Sequence, residues 1–227
     1  MRKKPNLASR MEHCASLFEK NPESLRGRWS RLFPDYKNLA LEIGCGKGRF
    51  TAEQALLNPQ TLLVAVERVP EALVVAMERA LALDLKNICF LNRDAKLLDQ
   101  IFAPQEISEI FLNFSDPWPR NRDAKHRLTA PDFLRIYASL LAEDGCLRFK
   151  TDNCPLFDWT LLQLRKEGWE IISITRDLHE NGVAGIMTDY EERFHSQGVP
   201  ICQVITTKGD FNSCALSHGT STACEPR

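Results

Sequence analysis

The run Leu39-Ala40-Leu41-Glu42-Ile43-Gly44-Cys45-Gly46-Lys47-Gly48 decides the fold. A strand-like apolar stretch ends in three glycines at alternate positions, and a helix-like stretch at 49–57 follows. Glycine lets a chain turn sharply and lets a ligand approach the backbone. Outward from this turn the same alternation repeats. Near-continuous apolar runs at 38–43, 61–67, 87–92, 107–113, 146–151 and 169–175 read as strands covered on both faces. Between them, 49–57, 70–83, 96–102, 130–141 and 156–166 read as helices, with Pro70 and Pro131 placed in first turns. Such alternation predicts an α/β, doubly wound, mostly parallel sheet. A seventh strand at 201–206 follows a weakly periodic gap at 176–200. If it pairs antiparallel with 169–175, the gap hangs over one end of the sheet. The expectation is a Rossmann-like, seven-stranded sheet whose last strand is antiparallel.

Carboxylates stand in register at the strand ends. Glu67 lies 23 residues past Gly44, the spacing at which doubly wound folds hold a ribose diol. The spacing G-x-G-x-G differs from the G-x-G-x-x-G of pyrophosphate binders, and Glu42 beside it would repel a pyrophosphate. Glu42 instead suits a ligand carrying an ammonium or sulfonium cation, which favours S-adenosylmethionine over a nicotinamide dinucleotide. Gly44 and Gly46 form the turn under that ligand, and Asp94, after the third strand, is placed to reach an adenine amino group. Each of these acids alone also fits a solvated strand end.

The chain has 227 residues with 29 Lys/Arg against 30 Asp/Glu, a net charge of −1 that argues against strong non-specific nucleic-acid binding. Residues 1–31 nevertheless hold eight Lys/Arg against three Glu, leaving −6 on the remainder. The organisation expected is a basic N-terminal arm at 1–31, one domain at 32–208, and a Ser/Thr/Gly-rich tail at 209–227 expected to be disordered. No apolar run is long enough for a membrane span, and no apolar stretch follows the basic start as a secretory signal would require. The eight cysteines form no C-x-x-C pair and no Cys/His spacing of a zinc site, as expected of reduced cytoplasmic thiols; no metal is expected.

A second informative stretch is Asn113-Phe114-Ser115-Asp116-Pro117-Trp118-Pro119-Arg120-Asn121-Arg122-Asp123-Ala124-Lys125-His126-Arg127. An acid, an aromatic ring between two stiffening prolines, and a cluster of cations suit a polyanion that carries a flat base. Trp118 can stack on a base or pack the loop down. Asp152, after the fifth strand, can bind guanine or cap the following helix. His179 and His195 have no nucleophile or metal pattern around them.

Four blocks carry a resemblance: Glu42–Gly48, Asn113–Pro119, Phe149-Lys150-Thr151-Asp152-Asn153 and Thr188-Asp189-Tyr190-Glu191. Over about residues 33–208 the chain resembles the bacterial tRNA (guanine-N(7)-)-methyltransferases, for which the S-D-P-W-P block is the most specific sign. The resemblance implies a class I methyltransferase fold and methyl transfer from S-adenosylmethionine to guanine at position 46, in the tRNA variable loop. It implies that Glu42, Glu67, Asp94 and Asp116 contact the methyl donor, with Asp116 the catalytic residue. It places Arg120, Asp152, Thr188, Asp189, Tyr190 and Glu191 against the substrate base, and the loop Arg122, Asp123, Ala124, Lys125, His126 and Arg127 against RNA. The chain departs from the family in that Asn121, Asp123, Ala124 and His126 dilute the basic loop, and Arg120 stands where Lys is usual. Expected partners are tRNA and no membrane, with the chain a monomer or homodimer. Two alternatives remain open at this point: a non-catalytic RNA-binding protein on the same fold, and a nicotinamide oxidoreductase.

Overall fold

The computed structural model describes residues 6–209. In chain order the elements are α1 (Leu7–His13), α2 (Trp29–Leu32), β1 (Asn38–Ile43), α3 (Arg49–Leu57), β2 (Thr61–Val66), α4 (Pro70–Ala82), β3 (Ile88–Leu91), α5 (Leu98–Ile101), β4 (Ile107–Asn113), α6 (Pro131–Leu140), β5 (Leu141–Thr151), α7 (Cys154–Lys166), β6 (Trp169–Thr175), α8 (Asp189–His195) and β7 (Cys202–Lys208). The strands form one seven-stranded sheet in the order β3-β2-β1-β4-β5-β7-β6. Strands β1 to β5 pair in parallel, while β7 runs antiparallel to both of its neighbours. The apolar runs become the sheet interior: Leu41, Val64, Leu91, Ile110 and Leu112 are all buried in one core.

The hairpin of β6 and β7 forms as expected, but β7 inserts between β5 and β6 rather than adding at the edge. Three local differences have physical causes. Strand β5 starts five residues before the apolar run at 146–151, because Leu141 pairs with Ile107 through a register shift. The helix expected at 96–102 splits into a 3-10 turn (Ala95–Leu97) and one α turn, since Asp94 caps the 3-10 turn by accepting from the Lys96 amide at 2.9 Å. The gap at 176–200 contains α8, started by a capping box between Thr188 and Glu191.

The basic N-terminal arm is corrected. Described residues 6–31 pack on the body, because their apolar and charged groups find partners there. Trp29 is fully buried; its Nε1 donates to the Ile101 carbonyl at 3.1 Å and its ring stacks on Phe33 and Phe102. Phe18 bridges to Phe90 of β3, Arg10 pairs with Glu78 of α4 at 2.5 Å, and Glu23 pairs with Arg93 at 2.7 Å. Residues 1–5, with three of the arm's cations, lie outside the described residues, as does the tail at 210–227. No helix among the described residues is long and apolar enough to cross a membrane.

The strand order reverses between β1 and β4, where connections leave to opposite sides. The crevice at the carboxyl ends of strands flanking such a switch point is where open α/β sheets hold ligands. Gly48, just past the glycine turn, sets how closely two helices beside it pack. At φ +75° it lets α3 start against α4 so closely that a Cβ there would stand 2.5 Å from the Ala76 Cβ.

Candidate active site

A cavity of about 400 Å³ opens at this switch point. Its walls come from successive strand ends: Ile43 and Gly44 at the end of β1, Glu67 and Arg68 after β2, Arg93 to Lys96 after β3, and Asn113 to Asp116 at the end of β4. Trp118 and His126 close one side. Gly44 has φ +81°, and no atom lies within 4 Å of where its Cβ would be, so a side chain there would project into open space.

The acids divide into two kinds. Glu67 is a cavity acid held rigid from behind: it accepts from the Gly46 amide at 3.1 Å and the Val69 amide at 2.8 Å. Asp94 lines the same wall while one oxygen caps the 3-10 turn. Asp116 stands at the mouth with its side chain 75% exposed, and Arg68 approaches it at 4.0 Å. Asp152 is partly exposed after β5. Asn153 supplies the helix cap instead, accepting from the Leu156 amide at 2.8 Å, so the capping alternative for Asp152 falls away.

Glu42 and Glu191 are corrected: neither lies on the surface of the cavity. Glu42 is 2% exposed and sits beneath the glycine turn. It accepts from the Thr51 hydroxyl at 2.5 Å and from the Asn113 amide group at 3.3 Å, joining β1 to α3 and to β4 across the switch point. Burial pushes its carboxyl up to about 7, against the pull of those two hydrogen bonds and of Lys150. Glu191 has a side chain with no exposure, because it is the hub that fastens the segment before β7. It pairs with Lys150 of β5 at 2.6 Å and lies 3.0 Å from Nε2 of His179. Nδ1 of His179 accepts from the Ala184 amide at 3.1 Å, so Nε2 carries the proton and donates to Glu191. Lys150 also donates to the Ile186 carbonyl at 2.9 Å and faces the Phe50 ring. A buried ion pair of this kind costs desolvation and is kept where a unique geometry matters.

The remaining residues of that segment separate as well. Thr188 is the N-cap of α8 and accepts from the Glu191 amide at 2.9 Å. Asp189 pairs with Arg79 of α4 at 3.1 Å, so both serve to seat the segment over the strand ends. Tyr190 alone of the four presents an open aromatic face, 48% exposed, with its ring 5.3 Å from Phe114 and 4.4 Å from Phe194.

In the loop after β4, Arg120, Arg122 and Lys125 are exposed and make no ion pair among the described residues. Asp123, Ala124 and His126 are half-buried on a 3-10 turn, with the His126 ring 5.2 Å from Trp118. Arg127 is corrected. It is 8% exposed, its guanidinium donates to the Pro117 and Trp118 carbonyls at 2.9 Å each, and it covers the Trp159 ring at 4.4 Å. Nothing in the sequence distinguishes it from the free cations beside it.

Asn113, Phe114, Arg68, Arg93, Lys150 and His179 belong to the site or its support without having been assigned a role. Asn113, Phe114 and Lys150 lie inside the quoted blocks. The other signals are three-dimensional: Phe114 adopts φ +52° and Trp118 φ +43°. A bulky residue held there costs about 1–3 kcal/mol and persists only where its surroundings fix it. The two bracket Ser115 to Pro117 and aim Asp116 at the cavity mouth.

A family model described as "Putative methyltransferase" matches residues 36–204. A tRNA (guanine-N(7)-)-methyltransferase of Listeria welshimeri is 41% identical over 199 residues, covering 87% of this chain and 93% of that protein. A protein of the same name from Geobacillus kaustophilus is 44% identical over 179 residues, covering 78% of this chain and 82% of that one. Among solved structures, the 16S rRNA methyltransferase KamB superposes with a TM-score of 0.63 at 18% identity, over 81% of this chain and 94% of that one. An rRNA methylase from Streptococcus thermophilus does so with a TM-score of 0.54 at 16% identity, over 92% of this chain and 99% of that one. These structural likenesses establish a class I methyltransferase fold. With a cavity at the switch point, the S-D-P-W-P loop on its rim and sequence identity across nearly the whole of its relatives, the chain belongs to the tRNA (guanine-N(7)-)-methyltransferase family.

Proposed function

We propose that this protein transfers a methyl group from S-adenosylmethionine to N(7) of guanine at position 46 of tRNA, in the cytoplasm. The observation that carries the reading is the juxtaposition of an acid-walled cavity with a rim loop bearing three unpaired cations. It joins a place for a small cationic donor to a place for a phosphate backbone.

The residues fit the donor. A buried carboxylate without an ion-pair partner of its own, Glu42, attracts a cation over the glycine turn. Glu67, fixed by two amides, offers its remaining lone pairs to a ribose diol. A pyrophosphate would instead meet the Glu42 carboxylate beneath the glycine turn. When bound, S-adenosylmethionine supplies an electrophilic methyl on a sulfonium sulfur.

The chain's own contribution is placement and charge. Guanine N(7) carries no proton, so the reaction needs no general base; it needs an in-line approach and tolerance of positive charge on the product base. Asp116 at the cavity mouth positions the base edge and faces the charge it acquires. Asp152, released from capping, is free to accept from the imino and amino edge of guanine. Tyr190 and Phe114 offer the aromatic faces on which a base can lie. Arg120, Arg122 and Lys125 hold phosphates, which fixes register without reading sequence.

Purified protein, S-adenosylmethionine and an unmodified tRNA transcript test the reading. We expect one methyl group on the variable-loop guanine, located by cleavage at 7-methylguanosine; methylation at another atom or another position would contradict it. Replacing both Arg122 and Lys125 with Ala should weaken tRNA binding and lower the log–log salt slope by about 1.5, measured by filter binding from low to moderate salt. An unchanged slope would remove those cations from the interface.

The raised Glu42 carboxyl fixes a pH dependence. Its folded value of about 7 exceeds the ordinary 4.5, so its contribution to stability is fully present below pH 4.5 and is lost as pH rises through 7. The ligand-free protein should therefore lose thermal stability from pH 6 to 8 relative to Glu42→Gln. Donor affinity should rise over the same range in the wild type, because a bound cation favours the ionised carboxylate. Calorimetric titration at the two pH values should show that rise abolished by Glu42→Gln.

A further inference from the structure

We propose that Arg127 is a positioning residue for methyl transfer: it fastens the Asp116–Trp118 loop in its working shape and does not contact RNA. This rests on the functional reading above for what the loop does, and on geometry alone for what Arg127 does.

The need for such a residue is written in the loop. Pro117 and Pro119 have no N–H to offer, and Trp118 takes φ +43°, so this stretch forms neither ladder nor helix. Its carbonyls must find donors elsewhere. The chain then folds a 3-10 turn, Asn121–His126, that returns it to its own start. Arg127 stands at that return. Its Nε donates to the Pro117 carbonyl and its NH2 group to the Trp118 carbonyl, both at 2.9 Å. One planar guanidinium thus grips two consecutive peptide groups, immediately after Asp116. Its backbone is fixed too, donating to the Ala124 carbonyl at 3.1 Å and accepting from the Ala130 amide at 2.9 Å. Beneath it, the Trp159 ring of α7 supports the guanidinium face at 4.4 Å. Arg127 is therefore closed off from solvent, its planar group spent on the loop, while Arg120, Arg122 and Lys125 point outward.

The arrangement demands the arginine fork rather than positive charge. An ammonium is a point donor; it cannot span two carbonyls in plane while lying flat on an indole. Losing the grip leaves Trp118 free to abandon its left-handed conformation, and Asp116 moves with it. Misplacement by about 1 Å at a reacting centre costs on the order of a hundredfold in rate.

The test compares Arg127→Lys, Arg127→Met and Trp159→Leu with the wild type in two assays. In the first, each variant should lose about tenfold to a hundredfold in kcat at saturating donor and tRNA. Its tRNA Kd should stay within about twofold, and its salt slope should not change, because no phosphate contact is removed. In the second, trypsin should cut faster after Arg120, Arg122 and Lys125 in all three variants, with cleavage elsewhere unchanged. A salt slope lowered by about 1 together with weaker binding at unchanged kcat would make Arg127 an RNA contact and overturn the proposal. So would full activity in Arg127→Lys, or trypsin cleavage of the loop at the wild-type rate. If the wild type methylates no tRNA, the functional reading fails by itself, and the trypsin assay still decides what Arg127 holds.

Discussion

A carboxylate buried where the sheet changes direction sets the terms for everything above it. Glu42 is the penultimate residue of β1, and its two hydrogen bonds reach Thr51 on α3 and Asn113 at the end of β4. The strands on either side of the switch point are thereby tied at the level where the cavity begins. The tie is made with a group that resists burial, as the upward shift of its carboxyl shows. An amide or hydroxyl could join the same elements at lower cost. A carboxylate becomes the better choice once a cation lies over the glycine turn, because the cation offsets the desolvation that the fold alone leaves uncompensated. The stability of the empty protein and its hold on the donor are then set against each other in one residue.

A second buried acid does comparable work at the other end of the site. Glu191 takes Lys150 from the sheet and His179 from the connecting segment, and so clamps the chain between β6 and β7 over the strand ends. Asp189 with Arg79 and Glu192 with Arg49 fasten the same segment to α4 and α3. The face left for a substrate is the aromatic one, Tyr190 beside Phe114. Glu42, Glu191 and Arg127 share a logic: charged groups inside the protein tie its segments together, while at its mouth Asp116 is largely exposed and Arg120, Arg122 and Lys125 make no ion pair among the described residues.

The fold was legible because its signal is local and repeated. Continuous apolar runs at regular intervals with helical periodicity between them leave few alternatives to a doubly wound sheet, and β1, α3 and β4 begin and end where the runs do. The insertion of β7 between β5 and β6 is a choice between two edges of one hairpin, which periodicity does not encode. At the site, residue types were legible but directions were not. Glu42 and Glu67 both lie at strand ends, yet one side chain is enclosed under the turn and the other faces the cavity. Arg122 and Arg127 differ by five positions in one basic run, and a 3-10 turn sends one to solvent and the other under the loop. Phe114 and Trp118 carry no sequence sign of left-handed backbone, since neither is Gly or Asn. What the sequence could not supply was the path of the chain between the strands.

The central claim is that this site works by placement and charge, with Asp116 facing the base and no group taking a proton. The most direct measurement is the single-turnover rate of methyl transfer at saturating donor and tRNA, followed from pH 6 to 8.5 in the wild type and in Asp116→Asn. The account predicts a flat profile for both proteins, with Asp116→Asn slower by a constant factor. A rate that climbs tenfold per pH unit in the wild type and loses that climb in Asp116→Asn would show proton abstraction by Asp116 and contradict it.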